Sequence, residues 1–169
     1  RNRGVARHQL GDLHGAVSDF SRAIALSPIN YLSYGDRGTA LYELGDIQGA
    51  IRDYSEAIAC NPRDYVSYSN RGMAKSGIGD HQGAVDDCSK SLEINSYHYD
   101  AFFNRAIAKN LLGDRQGAIE DCGQAIVINP NLVDAWRYRG AIRHEIGDIN
   151  GAISDASQAL ALKSRSLES

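Results

Sequence analysis

The sequence has few of the residues that build disulfide-bonded or zinc-binding proteins. Its 169 residues include three cysteines, three prolines, one methionine and one tryptophan. The cysteine count is odd and no two cysteines are spaced as C-x-x-C, so Cys60, Cys88 and Cys122 predict neither a disulfide framework nor a metal site. Free thiols in a protein core are typical of a reducing compartment, and we therefore expect a cytoplasmic protein.

Long apolar runs, basic clusters and catalytic motifs are also missing. No stretch of about 18 apolar residues occurs, which argues against membrane insertion, and no signal peptide is visible. The net charge is −3 with both signs mixed along the chain, so no nucleic-acid partner is expected. The five histidines form no H-E-x-x-H motif and no serine stands in G-x-S-x-G. We therefore expect a protein that is not an enzyme and needs no cofactor or metal.

Glycine, in contrast, recurs at a fixed period. Successive Gly-Asp pairs are 34 residues apart, which predicts a repeat protein. Residue 1 falls inside a repeat, so we expect that the natural N-terminus lies upstream of it. The pairs begin at Gly11, Gly45, Gly79, Gly113 and Gly147.

Each unit has the pattern of two amphipathic helices joined by the Gly-Asp pair. Gly45 is expected to end the first helix in the left-handed conformation, and Asp46 to cap the second helix. Pro62 is expected to end the second helix. One such pair cannot bury both of its apolar faces, so neighbouring pairs must share a continuous core. In the second unit the apolar or small positions are Tyr34, Gly38, Leu41 and Leu44, then Ile47, Ala50, Ile51, Tyr54, Ala57 and Ile58.

This arrangement of small residues, aromatic rings and proline resembles the tetratricopeptide repeat family. The second unit shows the pattern in full, with small residues at Gly38, Ala50 and Ala57, rings at Tyr34 and Tyr54, and Pro62. The resemblance implies an all-α, right-handed α-solenoid of antiparallel helix pairs. We expect one array over residues 1–166, made of a partial repeat 1–30 and full repeats 31–64, 65–98, 99–132 and 133–166, with a polar tail at 167–169. The last helix is expected to end at Leu162.

The later repeats depart from the family pattern. Ala156 stands where the family has an aromatic ring, and Ser164 stands where it has proline. The last helix pair lacks both features and is predicted to be the least stable. Cys88 and Cys122 replace the same ring, and Ser96 the same proline, in the third and fourth repeats.

Two opposite charges recur in step with the repeat. Every unit has an arginine where the family usually has leucine, and an aspartate 16 residues later. Because a half-buried charge needs a partner, this pattern predicts a ladder of ion pairs between helices. An anion-binding row of arginines is the functional alternative. In the four full repeats the predicted pairs are Arg37 with Asp53, Arg71 with Asp87, Arg105 with Asp121, and Arg139 with Asp155.

The resemblance implies that the first helices line a concave groove that binds a partner. An asparagine row could hold the backbone of an extended peptide, beside an apolar strip for hydrophobic anchors. The predicted function is a non-enzymatic protein–protein interaction scaffold that binds a peptide or helix. The predicted groove residues are Asp36, Tyr42, Asn70, Met73, Phe103, Asn104, Ile107, Arg137 and Tyr138.

One binding mode of the family is not expected here. The clamp that holds the C-terminal carboxylate of chaperones needs lysine at positions where this chain has Asp100 and Asp134. These aspartates would repel a carboxylate.

The alternative function is structural. The last helix carries Ile153, Leu160 and Leu162 at positions that meet the next repeat elsewhere in the chain. An uncovered apolar end can make a head-to-tail contact. The chain would then be a self-associating spacer within a larger protein.

Overall fold

The computed structural model describes the backbone of residues 1–168 and the side chains of residues 1–165. In that part of the chain all regular secondary structure is helical, which confirms the predicted all-α class. The helices are α1 (Asn2–Gln9), α2 (Leu13–Leu26), α3 (Tyr31–Glu43), α4 (Ile47–Cys60), α5 (Tyr65–Gly77), α6 (His81–Ile94), α7 (Tyr99–Leu111), α8 (Arg115–Ile128), α9 (Val133–Glu145) and α10 (Ile149–Glu168).

The helices pack as successive pairs, α1 with α2 through to α9 with α10. They fall into two compact units, the first with α1–α6 and the second with α7–α10. Within the first unit α2 also packs against α3, and α4 against α5. Within the second unit α8 packs against α9. Each of these contacts places the first helix of one repeat against the second helix of the repeat before it.

The turn inside each pair is formed as the sequence predicts. Gly45 has φ of +86°, and the four equivalent glycines are also left-handed. The backbone N–H of Gly49 donates to Asp46 Oδ1 at 2.8 Å, and the same cap recurs in the other four pairs. A second glycine is part of this cap, because a Cβ on Gly49 would stand 2.6 Å from Asp46 Cγ.

The turn after the second helix is formed by an asparagine side chain rather than by the proline. The side-chain oxygens of Asn61, Asn95 and Asn129 accept from the backbone N–H two residues later, at 3.1–3.2 Å. Lys163 stands at the equivalent position of the last repeat and has no such acceptor. Accordingly, α10 continues to Glu168, and the predicted end at Leu162 is wrong.

The core of the first unit is built from rings against glycine and alanine. The Phe20 ring packs with Ala16 and Ala40, and the Tyr54 ring packs with Ala50 and Ala74. Tyr54 is fully buried, and its hydroxyl donates to Thr39 Oγ1 at 3.2 Å. This burial raises the pKa of Tyr54 to about 12. Glycine is required opposite the ring, since a Cβ on Gly38 would stand 2.8 Å from it.

In the second unit a smaller side chain takes the place of the ring. Cys122 is fully buried and clusters with Ala106, Ala118 and Ile142. Burial raises the pKa of the Cys122 thiol to about 12. Cys122 is therefore a small apolar core residue, as its position in the sequence predicts.

Candidate partner-binding groove

The recurring arginine and aspartate meet within each helix pair. Arg37 Nε lies 2.7 Å from Asp53 Oδ2, and Nη2 lies 2.8 Å from Oδ1, so the pair is bidentate. The hydrogen bond to Asp53 raises the pKa of Arg37. The guanidinium carbon also lies 5.9 Å from the centre of the Tyr34 ring. The same bidentate geometry joins Arg71 to Asp87, Arg105 to Asp121 and Arg139 to Asp155.

The ladder has two further kinds of partner that the recurring arginine and aspartate alone do not predict. A second cation approaches the aspartate in most repeats, for example Lys75 Nζ at 2.9 Å from Asp87 Oδ2. The second repeat has Leu41 at the equivalent position. In the first unit the third guanidinium nitrogen bonds to the preceding repeat, as from Arg71 Nη1 to Ser55 Oγ at 3.0 Å. The ladder arginines are thus bonded within the protein, which leaves the anion-binding alternative without support.

In the first unit, side chains of the first helices contact one another. Arg1 Nε donates to Asp36 Oδ2 at 2.6 Å, so the carboxylate of this predicted groove residue is already paired. Tyr42 packs against the cluster around Tyr54 and is only partly exposed. Asn70 and Met73 lie partly exposed on α5, which contacts α3. Among the described residues the Asn70 amide has no hydrogen-bond partner, and it is therefore open to a ligand.

In the second unit an aromatic pair joins the two first helices. The rings of Phe103 and Tyr138 meet edge to face, with centroids 5.9 Å apart and an interplanar angle of 87°. Asn110 Nδ2 donates to the Tyr138 hydroxyl at 3.1 Å. Partial burial raises the pKa of Tyr138. Asn104 and Ile107 are also partly exposed on α7.

This aromatic pair forms the wall of a shallow pocket of about 370 Å³. The pocket brings together the predicted residues Phe103, Arg137 and Tyr138, and adds Asp134 and Ala141. Asn110 was not predicted as a supporting residue. A polar residue recurs at its position in the repeats, and that recurrence could have indicated it. We name the Phe103, Tyr138, Arg137, Asp134 and Ala141 surface the aromatic pocket.

The predicted association residues have different surroundings. Ile153 is 60% exposed and Leu160 is 70% exposed, whereas Leu162 is half-buried. Ile153 and Leu160 line a larger concave surface on α9 and α10, and Leu162 does not.

Neither a metal site nor a membrane span is found where the structure is described. His, Cys, Asp and Glu side chains do not gather there in a group of three or more suited to a metal ion. No described helix combines the length and hydropathy needed to cross a bilayer.

Comparison with known families and structures agrees with the repeat pattern. The sequence model of the tetratricopeptide repeat family matches residues 1–65. The part of the chain that the structure describes has ten helices over five fixed periods, and these extend the same architecture beyond this segment. Residues 1–65 are tetratricopeptide repeats, and the whole chain has the tetratricopeptide repeat fold. The predicted α-solenoid class is therefore confirmed, and such repeats are in general non-catalytic protein-interaction modules.

Solved structures of similar fold include several repeat proteins of low sequence identity. A MamA from Desulfovibrio magneticus RS-1 is 17% identical, with all of this chain and 95% of that chain covered and a TM-score of 0.84. A thermophilic tetratricopeptide repeat protein of Thermus thermophilus, TTC0263, is 19% identical, with coverage of 99% and 91% and a TM-score of 0.81. YrrB, described as having an unusual peptide-binding site, is 14% identical, with coverage of 95% and 83% and a TM-score of 0.72. No curated protein matches the chain.

Proposed function

We propose that this tetratricopeptide repeat chain is a protein-interaction scaffold that binds a peptide or helix of a partner on its first helices. The observation that carries the proposal is the aromatic pocket, where two rings from successive first helices remain partly exposed. Aromatic side chains in a concave site provide most of the binding free energy in many interfaces. The peptide-binding site reported for YrrB is consistent with this use of the fold.

The aromatic pocket would bind an apolar side chain and orient it through fixed rings. Because Asn110 holds the Tyr138 hydroxyl, the ring is positioned before a partner arrives, which lowers the entropy cost of binding. Arg137 and Asp134 lie at the edge, 3.6 Å apart, and would pair with polar groups beside the anchor. Affinity would then depend on one or two anchors rather than on the total contact area.

Asparagines on the first helices would add contacts to the partner backbone, each within its own unit. Asn70 and Asn104 stand at equivalent positions of successive first helices and are both partly exposed. An amide both donates and accepts, which suits the backbone of an extended peptide. A free C-terminal carboxylate is a poor ligand for the same surface, because Asp100 and Asp134 are exposed and would repel it.

The test is selection of peptides from a random dodecapeptide phage library on the immobilised chain. Selected peptides should bind at least about tenfold more weakly to Phe103→Ala and Tyr138→Ala. Gln124→Ala, on the exposed side of α8, is the matched control and should bind normally. Equal affinity for all of these variants would refute the aromatic pocket. Equal affinity of wild type and the double variant Asn70→Ala with Asn104→Ala would refute the asparagine row alone.

A second candidate function is association through the end of the array, at Ile153, Leu160 and Leu162. The exposure of Ile153 and Leu160 favours it, because such side chains are usually buried. Light scattering at rising protein concentration tests for self-association, which Leu160→Lys should abolish without changing peptide binding. A constant monomer mass up to millimolar concentration would rule out association between copies.

A further inference from the structure

Two aspartates stand one helical turn before the two rings of the aromatic pocket. Asp100 lies in the first turn of α7, three residues before Phe103, and Asp134 lies in the first turn of α9, four residues before Tyr138. Residues three or four positions apart share one face of a helix. Each carboxylate is therefore on the face that carries the ring, and Asp134 also lines the pocket itself.

Neither carboxylate is satisfied within the described part of the chain. Asp100 Oδ2 lies 3.6 Å from His98 Nε2, and Asp134 Oδ1 lies 3.6 Å from Arg137 Nη1. Both distances are too long for a hydrogen bond. The side chain of Asp100 is 53% exposed and that of Asp134 is 69% exposed. Both carboxylates are thus open to a group that arrives from outside.

The exposure of this position does not depend on the end of the chain. In the first unit the equivalent residues are Leu32 on α3 and Val66 on α5, which are 40% and 42% exposed. Leu32 is exposed even though α3 packs against α2, α4 and α5. The position is therefore accessible within the array, and its chemistry differs between the units. It is apolar in the first unit and acidic in the second.

The other charged side chains on this face do not cancel both carboxylates. Arg137 is the cation beside Asp134, and its side chain is itself 72% exposed. Glu145, which Arg115 approaches at 3.4 Å, lies with His144 near the C-terminal end of α9. That end is about 15 Å along the helix from Asp134. Two carboxylates against one guanidinium leave a net negative charge beside the rings.

We propose that the partner segment bound by the aromatic pocket is basic, with lysine or arginine within two residues of its apolar anchor, and that this cation pairs with Asp100 and Asp134. The inference rests on the proposed function, because it assigns the chemistry of the segment that this pocket binds. One helical turn rises about 5.4 Å, and two residues of extended chain span about 7 Å. An anchor seated on the rings therefore brings its basic neighbour to the carboxylates.

A purely structural role of the two aspartates makes a different prediction. A carboxylate in the first turn stabilises its own helix through the helix dipole, with no ligand present. Replacing Asp100 or Asp134 for that reason alone would lower stability and would affect the binding of all peptides alike. Recognition of a basic segment instead makes the effect depend on the charge of the peptide.

The first experiment selects peptides from the random dodecapeptide phage library on the immobilised wild-type chain. Lysine and arginine should be enriched within two residues of the apolar anchor, relative to the unselected library. Selection on the double variant Asp100→Asn with Asp134→Asn should keep the anchor and lose this enrichment. Glu120→Gln removes one negative charge from the exposed side of α8 in the same unit, and it should keep the enrichment as the matched control.

The second experiment uses one selected peptide, synthesised with lysine and with glutamine at the basic position. The double asparagine variant should bind the lysine peptide about fivefold more weakly than wild type does. It should bind the glutamine peptide as wild type does. Binding of the lysine peptide should also weaken as salt rises from about 50 to about 500 mM, whereas binding of the glutamine peptide should change little.

Charge reversal provides an independent readout. The double variant Asp100→Lys with Asp134→Lys should bind a version of the peptide that has glutamate at the basic position, and should bind it more tightly than the lysine version. Wild type should have the opposite preference. Circular dichroism and urea unfolding of each variant verify that the helices are still folded.

The outcomes separate this proposal from the proposed function. Selected peptides that bind at least about tenfold more weakly to Phe103→Ala, yet show no basic enrichment, would overturn the proposal and leave the aromatic pocket in place. Equal affinity of the lysine peptide for wild type and the double asparagine variant would have the same meaning. Selected peptides that bind Phe103→Ala and Tyr138→Ala normally would refute the aromatic pocket, and this proposal with it.

Discussion

Arg139 Nη1 lies 3.5 Å from the position that a Cβ on Gly123 would occupy. At the equivalent contacts of the first unit this nitrogen donates to a serine hydroxyl, from Arg37 to Ser21 and from Arg71 to Ser55, both at 3.0 Å. Gly123 has no hydroxyl to offer. One hydrogen bond between successive repeats is thus missing at a position where the space for it exists.

The variant Gly123→Ser should therefore stabilise the chain. Replacing glycine inside a helix and adding one hydrogen bond should together raise the free energy of unfolding by about 1 kcal/mol. Urea unfolding followed by circular dichroism measures the change. Gly123→Ala is the control, since it provides the helix preference without the hydroxyl. Alanine is the better helix former by about 0.5 kcal/mol. If alanine stabilises more than serine by that amount or more, the hydroxyl makes no useful bond to Arg139.

The ion-pair ladder predicts that two aspartates of the first unit contribute different amounts to the free energy of unfolding. Asp87 holds both Arg71 and Lys75, whereas Asp53 holds Arg37 alone. Replacing Asp87 by alanine leaves two half-buried cations without their counter-charge, so it should cost more than the same change at Asp53, with a loss of about 3 kcal/mol or more. Urea unfolding measures both losses.

A second change tests the cause of that difference. Lys75→Leu gives the third repeat the residue that the second repeat has at Leu41. In this background Asp87→Ala should cost about as much as Asp53→Ala does in the wild type, because one cation remains in each. An unchanged cost would show that the second cation, Lys75, is not the source of the difference.

Periodicity made much of this fold predictable. Gly45 and Asp46 mark a turn and a cap whose chemistry is local, and the spacing of 16 residues places arginine and aspartate on facing helices. The packing of a large residue of one repeat against a small residue of the next was not predictable in the same way. Cys122 and Ile142 pack together in the structure, but the spacing of the sequence does not indicate which residue of one repeat contacts which residue of the next.

The end of α10 shows a second limit of sequence reasoning. Proline at Pro62 suggested where a second helix stops, but the Asn61 side chain forms the turn there. Without an asparagine at Lys163 the helix continued past its predicted end. Phe103 and Tyr138 were each predicted as groove residues, but their contact with one another was not predicted. Their contact, and the bond from Asn110, depend on the angle between two helices, which a single repeat does not encode.

The three thiols should differ in reactivity. Cys60 is exposed, whereas Cys88 and Cys122 are buried. Native protein should release about one equivalent of thionitrobenzoate with Ellman's reagent, and denatured protein about three. Cys60→Ser should remove the fast reaction. Rapid reaction of two or more thiols in native Cys60→Ser protein would show that the helix pairs open far more readily than this packing implies.

Burial of the Cys122 thiol predicts a loss of stability at alkaline pH. The folded-state pKa is about 12 and the ordinary value is 9.0, so the neutral thiol is favoured by folding. Its contribution is fully present below pH 9 and is lost as pH rises from there toward 12, at up to about 1.4 kcal/mol per pH unit. Urea unfolding at pH 8, 9 and 10 should show a steeper decline in the wild type than in Cys122→Ala. Parallel declines would mean that this thiol stays neutral in both states.

The last helix pair should open more readily than the pair around Tyr54. Tyr54 is buried against Gly38 and is covered by the next repeat, whereas Ala156 places no ring against Gly140 and Leu160 is exposed. Local opening costs less where fewer apolar contacts are lost. Hydrogen exchange followed by mass spectrometry should therefore show faster exchange in α10 than in α4. The variant Ala156→Tyr should slow exchange in α10, because its ring would add the apolar contacts that Ala156 lacks. Gln158→Tyr should not slow it, since its ring would lie in solvent. Faster exchange in α4 than in α10 would contradict the link between the missing ring and local stability.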